Sequence, residues 1–172
     1  DANFIEIKTN DFKDFDLSKI SKNLPKLDIQ KIDHFQKNTL RAMEINELNK
    51  EFNEIKNLNI NEKEWNLIKN NIESYKSILE ILDIVRRKKI EIKPSKEFVE
   101  LLINNIDDIK NLDFDAYIVF LSKKGNNLSK KDIFMNTRYV LTGNNNGPSV
   151  KDLYLFFGHS ELERILNEFK TS

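Results

Sequence analysis

The sequence contains no cysteine, and its 172 residues include only 4 glycines and 3 prolines. Without cysteine the chain forms neither disulfides nor cysteine-based metal sites, which fits a reducing compartment. Its 28 basic residues balance its 28 acidic residues, so the net charge gives no overall attraction to nucleic acid or membrane. Any site for a polyanion must therefore be a local surface patch.

Long apolar runs are also absent from the sequence. No stretch approaches the ~18 consecutive apolar residues of a membrane span, so we expect no membrane partner and a cytoplasmic location. The first residues, "DANFIEIKTNDF", include neither an initial Met nor the apolar core of a signal peptide. We interpret this start as an internal cut in a longer chain. A hydrophobic content of 39% and a charged content of 33% indicate a globular, well-solvated protein.

Apolar residues recur at steps of three and four along most of the chain, which is the spacing of one helix face. The longest series predicts a helix with one buried face made of Trp65, Ile68, Ile72, Tyr75, Leu79 and Leu82. Asn61, with Glu64 three residues later, predicts the start of this helix. Ser129, with Asp132 three residues later, predicts another helix start of the capping-box type. Similar series are Ile45, Leu48, Phe52 and Ile55, and, after Pro94, Phe98, Leu101, Leu102, Ile106 and Ile109.

The pattern predicts an all-α fold with eight or nine helices. One segment, "AYIVFL" (116–121), fits either a strand or a short buried helix. The segment "RRKKIEIKPS" (86–95) is the best boundary, because a charge run and an extended piece precede a proline. We therefore predict two small helical-bundle subdomains in tandem, over residues 1–90 and 91–172. We interpret Arg86-Arg87-Lys88-Lys89 as a solvated helix end, with a phosphate contact as the alternative.

Three of the four glycines lie in "TRYVLTGNNNGPSVKDLYLFFG" (137–158). Gly143 suits the left-handed position that ends a helix, and Gly158 suits the end of the next helix. The intervening "NNNG" is typical of a polar turn. Gly147-Pro148 has two explanations: a turn, or a bare backbone beside a helix N-terminus that receives a phosphate or a base.

The sequence shows no recognisable catalytic chemistry. His34 and His159 have no acidic partner at ligand spacing, and no HExxH, GxSxG, Walker or GxGxxG pattern occurs. The many carboxylates fall on amphipathic helices, where solvated faces are the usual explanation. We therefore expect no catalytic residue, no metal and no cofactor in this chain itself.

The segment "TRYVLTGNNNGPSVKDLYLFFGHSELERIL" (137–166) resembles the C-terminal end of bacterial glutamyl-tRNA synthetases. That family has an Arg, an aliphatic pair, Leu-Thr-Gly, a polar loop, Gly-Pro, an apolar helix ending in Leu-Gly, and a last helix. The corresponding residues here are Arg138, Val140, Leu141, Thr142, Gly143, Gly147, Pro148, Phe157, Gly158, Glu163, Arg164 and Ile165.

A second segment, "KLDIQKIDHFQKNTLRAM" (26–43), resembles another part of the same family, in the right order along the chain. Its matching positions are Leu27, Asp28, Lys31, Ile32, Asn38, Leu40 and Arg41. Between the two segments, residues 45–130 align only as helices. The basic residue that the family places within 70–80 is missing, and Glu73 and Tyr75 lie near its position.

The resemblance implies the two helical anticodon-binding domains of a class I aminoacyl-tRNA synthetase. The full-length enzyme would attach glutamate to tRNA(Glu), using ATP and Mg bound in a separate catalytic domain. That domain's His-rich motif and Lys-Ser-Lys loop do not occur in this sequence. The implied partner is tRNA(Glu), and tRNA(Gln) is left open as a second partner. Within the family, an Arg at the position of Arg41 favours the group of enzymes that charge only tRNA(Glu). We expect a monomer.

The resemblance also implies roles for individual residues. The Arg matching Arg41 would read the third anticodon base, and the Arg matching Arg138 would contact another. The residues matching Gly147, Pro148 and Val150 would line the site. From the residues themselves, Lys37, Asn38 and Arg41 share one donor-rich helix face, and Arg suits both stacking and hydrogen bonding to bases.

The alternative is a non-catalytic helical protein–protein interaction module, in which the stripe over 65–82 forms the partner seam. The neutral net charge mildly favours this alternative. The two hypotheses predict different placements of the cations. Arg41, Arg138 and the loop 144–150 would cluster on one surface of an RNA-binding domain and would be dispersed on an interaction module.

Overall fold

The computed structural model describes residues 29–125 and 128–170. Within these ranges the chain is helical and contains no strand. The helices are α1 (Ile29–Ala42), α2 (Ile45–Glu51), α3 (Asn53–Lys56), α4 (Glu62–Ile68), a 3₁₀ helix (Lys69–Asn71), α5 (Tyr75–Val85), α6 (Lys96–Asn104), α7 (Ile106–Ile109), α8 (Phe114–Lys124), α9 (Lys130–Thr142) and α10 (Val150–Lys170). The predicted all-α fold class is confirmed, and 116–121 is helical. The predicted internal cut and the matching positions Leu27 and Asp28 lie outside the described residues.

The hydrophobic core draws buried side chains from both sides of residue 90, including Trp65 in α4, Leu82 in α5, Tyr117 in α8 and Ile165 in α10. The last helix packs against α4, α6, α8 and α9. The division into subdomains at 1–90 and 91–172 stays a prediction. In the described part of the chain, no helix combines the length and apolarity needed to cross a membrane.

The predicted single helix along the 65–82 stripe is wrong. After α4 ends at Ile68, a 3₁₀ turn follows and Ile72 adopts an extended backbone. A new helix then starts behind Ser74, whose hydroxyl accepts a hydrogen bond from the Ser77 N–H. Asn and Ser side chains compete for backbone hydrogen bonds and so favour such a break. The restarted helix α5 buries Ile78, Ile81, Leu82 and Val85, so Leu82 is buried as predicted, whereas Tyr75 and Leu79 are only partly buried.

Several predicted helix ends are confirmed. Asn61 and Glu64 form a reciprocal capping box at the start of α4, and Ser129 and Asp132 form one at α9. Gly143 ends α9 in the left-handed conformation, with φ 65° and ψ 22°. Gly158 is confirmed as a helix end: its φ of 65° and ψ of −178° are non-helical, and they divide Val150–Lys170 into two helices that meet at a kink.

The solvated helix end predicted for Arg86-Arg87-Lys88-Lys89 holds for the exposed lysines and is wrong for both arginines. Arg86 donates through Nε and Nη2 to the two carboxylate oxygens of buried Glu64, at 2.7 and 2.8 Å. It also donates through Nη1 to the Leu58 carbonyl oxygen at 2.9 Å. Arg87 is likewise bonded within the protein. A carboxylate 22 residues upstream is a tertiary partner that no local pattern reveals.

Replacing Glu64 with Gln is expected to lower the free energy of unfolding at neutral pH by about 1–3 kcal/mol, because charge-assisted hydrogen bonds in a buried setting are lost. The hydrogen bonds from Arg86 hold the pKa of Glu64 below its ordinary value. The contribution of the Glu64 carboxylate to the free energy of unfolding is therefore complete above the unfolded-chain pKa, near ~4.3. It disappears as the pH falls through the folded-state pKa of Glu64.

Urea unfolding followed by circular dichroism across this pH range measures the effect. The difference in the free energy of unfolding between wild type and Glu64→Gln should become smaller below about pH 4. The exposed Glu62 in the same first turn is a matched control, and Glu62→Gln should change stability by only a few tenths of a kcal/mol. Equal effects of the two variants, or a gap that is constant with pH, would contradict this account.

Candidate nucleic-acid interface

One cluster of predicted site residues forms where α9 returns to α10. Arg138, one turn before the end of α9, is half-buried and donates through Nη1 to the Asn146 carbonyl oxygen at 3.1 Å. Burial of the guanidinium lowers the pKa of Arg138. An arginine stays cationic at neutral pH even so, because its pKa starts far above that range. The structure thus places a positive charge at the edge of the 143–149 loop.

The loop itself is held by short-range hydrogen bonds. The Thr142 hydroxyl accepts from the Asn144 N–H at 3.3 Å, and the Asn144 side-chain oxygen accepts from the Asn146 N–H at 3.1 Å. Gly147 has a φ of 108°, a conformation that side chains disfavour. This network leaves Asn145 and Asn146 exposed beside Arg138.

Three further predicted residues lie in the same cluster but contribute differently. Pro148 and Val150 are buried, and Val150 is the first residue of α10. Their side chains support the loop from inside, so a ligand would meet the backbone around them. A Cβ on Gly147 would lie 3.4 Å from Ile84 Cγ2, so the loop also rests on the end of α5.

A second cluster lies on α1, beside the turn between α4 and α5. Arg41 donates through Nε to the Ile72 carbonyl oxygen at 2.8 Å. Lys37 Nζ forms an ion pair with Glu73 Oε1 at 2.6 Å, and this bond lowers the pKa of Glu73. Asn38 Nδ2 lies 2.9 Å from His34 Nε2. The three predicted α1 residues therefore share one face.

The two clusters are separate and lie at opposite ends of α5. Arg41 and Lys37 contact residues 72 and 73, just before α5 begins, whereas Gly147 rests near Ile84 at its end. Eleven helical residues span roughly 16 Å at 1.5 Å per residue. The structure therefore brings Arg138 to the 143–149 loop and places Arg41 near the other end of α5, so the single cluster that the RNA-binding hypothesis predicts is not observed.

An aromatic cleft of about 300 Å³ opens next to the α1 cluster. Its lining includes Phe35, Thr39, Met43, Phe52 and Tyr75. The rings of Phe52 and Tyr75 lie 5.0 Å apart. Flat aromatic surfaces beside hydrogen-bond donors are the usual setting in which proteins stack and read unpaired bases.

Sequence reasoning missed the segment that supports the 143–149 loop from outside. The backbone N–H groups of Glu91 and Ile92 both donate to the Gly143 carbonyl oxygen, at 2.9 Å each. The Glu91 carboxylate accepts from Asn144 Nδ2 at 3.2 Å. The extended character of "IEIKP" is readable from the sequence, but its partner Gly143, 51 residues after Ile92, is not. Among the described residues, no group of three or more acidic or histidine side chains is placed to hold a metal.

Comparison with known proteins confirms the family resemblance. The chain is 32% identical over 159 residues to glutamate–tRNA ligase 1 of Campylobacter jejuni subsp. jejuni serotype O:2, a match that covers 88% of the chain and 35% of that protein. It is 22% identical over 158 residues to glutamate–tRNA ligase 1 of Wolbachia sp. subsp. Brugia malayi, covering 90% of the chain and 35% of that protein. The chain thus spans about a third of these relatives' length. No protein-family profile matches the chain, and no solved structure matches it.

Proposed function

Since the chain is homologous to glutamate–tRNA ligases over about a third of their length, we propose that it is the part of such an enzyme that recognises the tRNA anticodon. The whole enzyme would attach glutamate to tRNA(Glu), using ATP and Mg in a catalytic domain that this chain does not include. The chain would supply specificity through binding alone.

The observation that carries this proposal is the pairing of the arginines. Within the described residues, three of the five arginines form ion pairs with carboxylates: Arg86 with Glu64, Arg87 with Glu168, and Arg164 with Glu161 and Glu168. Arg41 and Arg138 instead bond to backbone carbonyl oxygens, and no carboxylate of the described residues forms an ion pair with either. Their charge is therefore available to an anionic ligand.

Each arginine also keeps donors for a base. Arg41 uses Nε and Arg138 uses Nη1 within the protein, and a guanidinium carries five N–H donors in a planar fork. Such a fork can stack on a splayed base or bond its edge in a bidentate way. The Lys37–Glu73 ion pair beside Arg41 is exposed and so costs little to rearrange on binding.

The separation of Arg41 from Arg138 is the arrangement expected of a protein–protein module, but the seam predicted for that alternative is not available. Its predicted seam is interrupted by the turn between α4 and α5, and its members Trp65, Ile68 and Ile72 are fully buried in the core. A partner helix packs against exposed apolar side chains, so these residues do not provide a seam.

The proposal predicts that Arg138→Ala and Arg41→Ala each weaken binding of a tRNA(Glu) anticodon stem-loop by about 1–3 kcal/mol. The reason is the loss of a charged, planar donor group. Fluorescence anisotropy of the labelled stem-loop, repeated across a salt series, measures the change. Arg138→Lys keeps the charge without the fork, so it should restore the salt slope but only part of the affinity.

The control for these variants is Arg164→Ala, because Arg164 is exposed on α10 and already paired with two carboxylates. Its affinity for the stem-loop should equal that of wild type. Binding that survives both Arg41→Ala and Arg138→Ala, or that falls equally with Arg164→Ala, would contradict anticodon recognition by these clusters.

A further inference from the structure

The backbone of Arg87 adopts a conformation that is rare for any residue other than glycine. Its φ is 55°, in the left-handed region that L side chains disfavour. It lies two residues after α5 ends at Val85, where the chain turns toward α9 and α10. The backbone holds this conformation, because the Arg87 N–H donates to the Ile84 carbonyl oxygen and the Lys88 N–H donates to the Asp83 carbonyl oxygen, each at 3.0 Å, as in a left-handed helix end.

The side chain of Arg87 joins the ends of two helices. It is only 9% exposed, and it donates through Nη1 to the carbonyl oxygens of Val140 and Leu141 in the last turn of α9. Its Nη2 pairs with Glu168 of α10 at 3.0 Å. Carbonyls in the last turn of a helix lack intrahelical donors and carry partial negative charge. Arg87 therefore caps α9 from outside and ties it to α10.

The residues that follow Arg87 hold the start of the 143–149 loop. Glu91 and Ile92 donate their backbone N–H groups to the Gly143 carbonyl, and the Glu91 carboxylate accepts from the Asn144 side chain. Asn144 in turn fixes Asn146, whose carbonyl oxygen accepts from Arg138. A continuous series of contacts thus leads from the segment after α5 to the guanidinium of Arg138.

We propose that Arg87 is a positioning residue for RNA recognition, acting through the end of α9 and the 143–149 loop to hold Arg138 in place. This inference rests on the proposed function of Arg138. It replaces the phosphate-contact alternative for Arg87, because the guanidinium is largely buried and bonded to three acceptors inside the protein.

The test uses Arg87→Gly, which removes the side chain while glycine accepts the positive φ without strain. We expect the anticodon stem-loop to bind about 2- to 30-fold more weakly, the range typical of residues that act through a network. The salt slope should not change, because no phosphate contact is lost. Amide exchange of residues 144–147 in the free protein should accelerate. Arg87→Lys serves as a milder variant if Arg87→Gly does not fold.

The neighbouring Lys88 provides a charge-matched control, since it is exposed and paired with Asp83 at 2.8 Å. Lys88→Ala should leave both loop exchange and affinity unchanged. In an Arg138→Ala background, Arg87→Gly should cause little further loss of affinity, because the two residues act on the same contact.

Three results would overturn the positioning role while leaving the proposed function intact. The first is unchanged amide exchange of the loop in Arg87→Gly, and the second is additive losses of affinity in the double variant. The third is a salt slope of binding that Arg87→Gly reduces by about one, which indicates a direct phosphate contact. Failure of the proposed function would show separately, as an Arg138→Ala variant that binds RNA as tightly as wild type.

Discussion

Replacing Trp65 with alanine is expected to lower the free energy of unfolding by about 3–5 kcal/mol, the usual cost of truncating a large buried aromatic residue. Trp65 is fully buried, and its indole Nε1 donates to the Met43 carbonyl oxygen at 2.9 Å. The substitution removes apolar contacts, leaves a cavity in the core and deprives a backbone acceptor of its donor. This loss is a large fraction of the total free energy of unfolding of a typical domain, which is ~5–15 kcal/mol.

Urea unfolding followed by far-ultraviolet circular dichroism measures this loss, since the variant has no tryptophan fluorescence. Trp65→Phe keeps much of the volume but loses the hydrogen bond, and should fall between wild type and Trp65→Ala. Leu155→Ala is the control, because Leu155 is 63% exposed and its truncation should cost less than about 0.5 kcal/mol. A Trp65→Ala variant as stable as Leu155→Ala would contradict the described core.

The Gly143→Ala variant is expected to lose about 2–4 kcal/mol of stability, combining a positive-φ penalty with overpacking. Gly143 has a φ of 65°, and an added Cβ would lie 2.6 Å from Ile90 Cγ2 and 3.0 Å from Ile90 Cα. Relief of this clash must move Ile90 or the end of α9. Because Gly143 also begins the loop that carries Asn146 next to Arg138, RNA binding should weaken along with stability.

The partner variant Ile90→Ala separates the clash from the backbone strain. Ile90 is 51% exposed, so its truncation alone should cost little. In combination with Gly143→Ala it removes the closest atom and should recover part of the lost stability, measured by the same urea unfolding. Absence of any recovery in the double variant would mean that the segment around Ile90 does not pack on Gly143 in solution.

Local signals in the sequence predicted the helix ends well. Asn61, Ser129 and Gly143 act on backbone groups within a few residues, so their roles are readable without knowledge of the fold. The break between α4 and α5 was missed because the apolar spacing runs unbroken through it. Steps of three and four are also satisfied by a 3₁₀ turn followed by a restarted helix.

The candidate site was predictable only in part. Arg41 and Arg138 came from the family resemblance, and the structure shows that neither forms an ion pair with a carboxylate among the described residues. The role of Arg87 could not be predicted, because its acceptors lie 53 and 54 residues away. The Lys37–Glu73 pair was equally hidden, since it depends on how α1 packs against the turn before α5.

The most direct test of the central claim compares two RNAs with the unaltered chain. Anisotropy would measure binding of the tRNA(Glu) anticodon stem-loop and of the same stem-loop with its three anticodon bases replaced, at one salt concentration. Anticodon recognition predicts at least about tenfold tighter binding to the native loop, since each correct bidentate base contact is worth ~1–3 kcal/mol. Equal affinity for the two RNAs would show that the chain binds only the phosphate backbone, and would contradict the account.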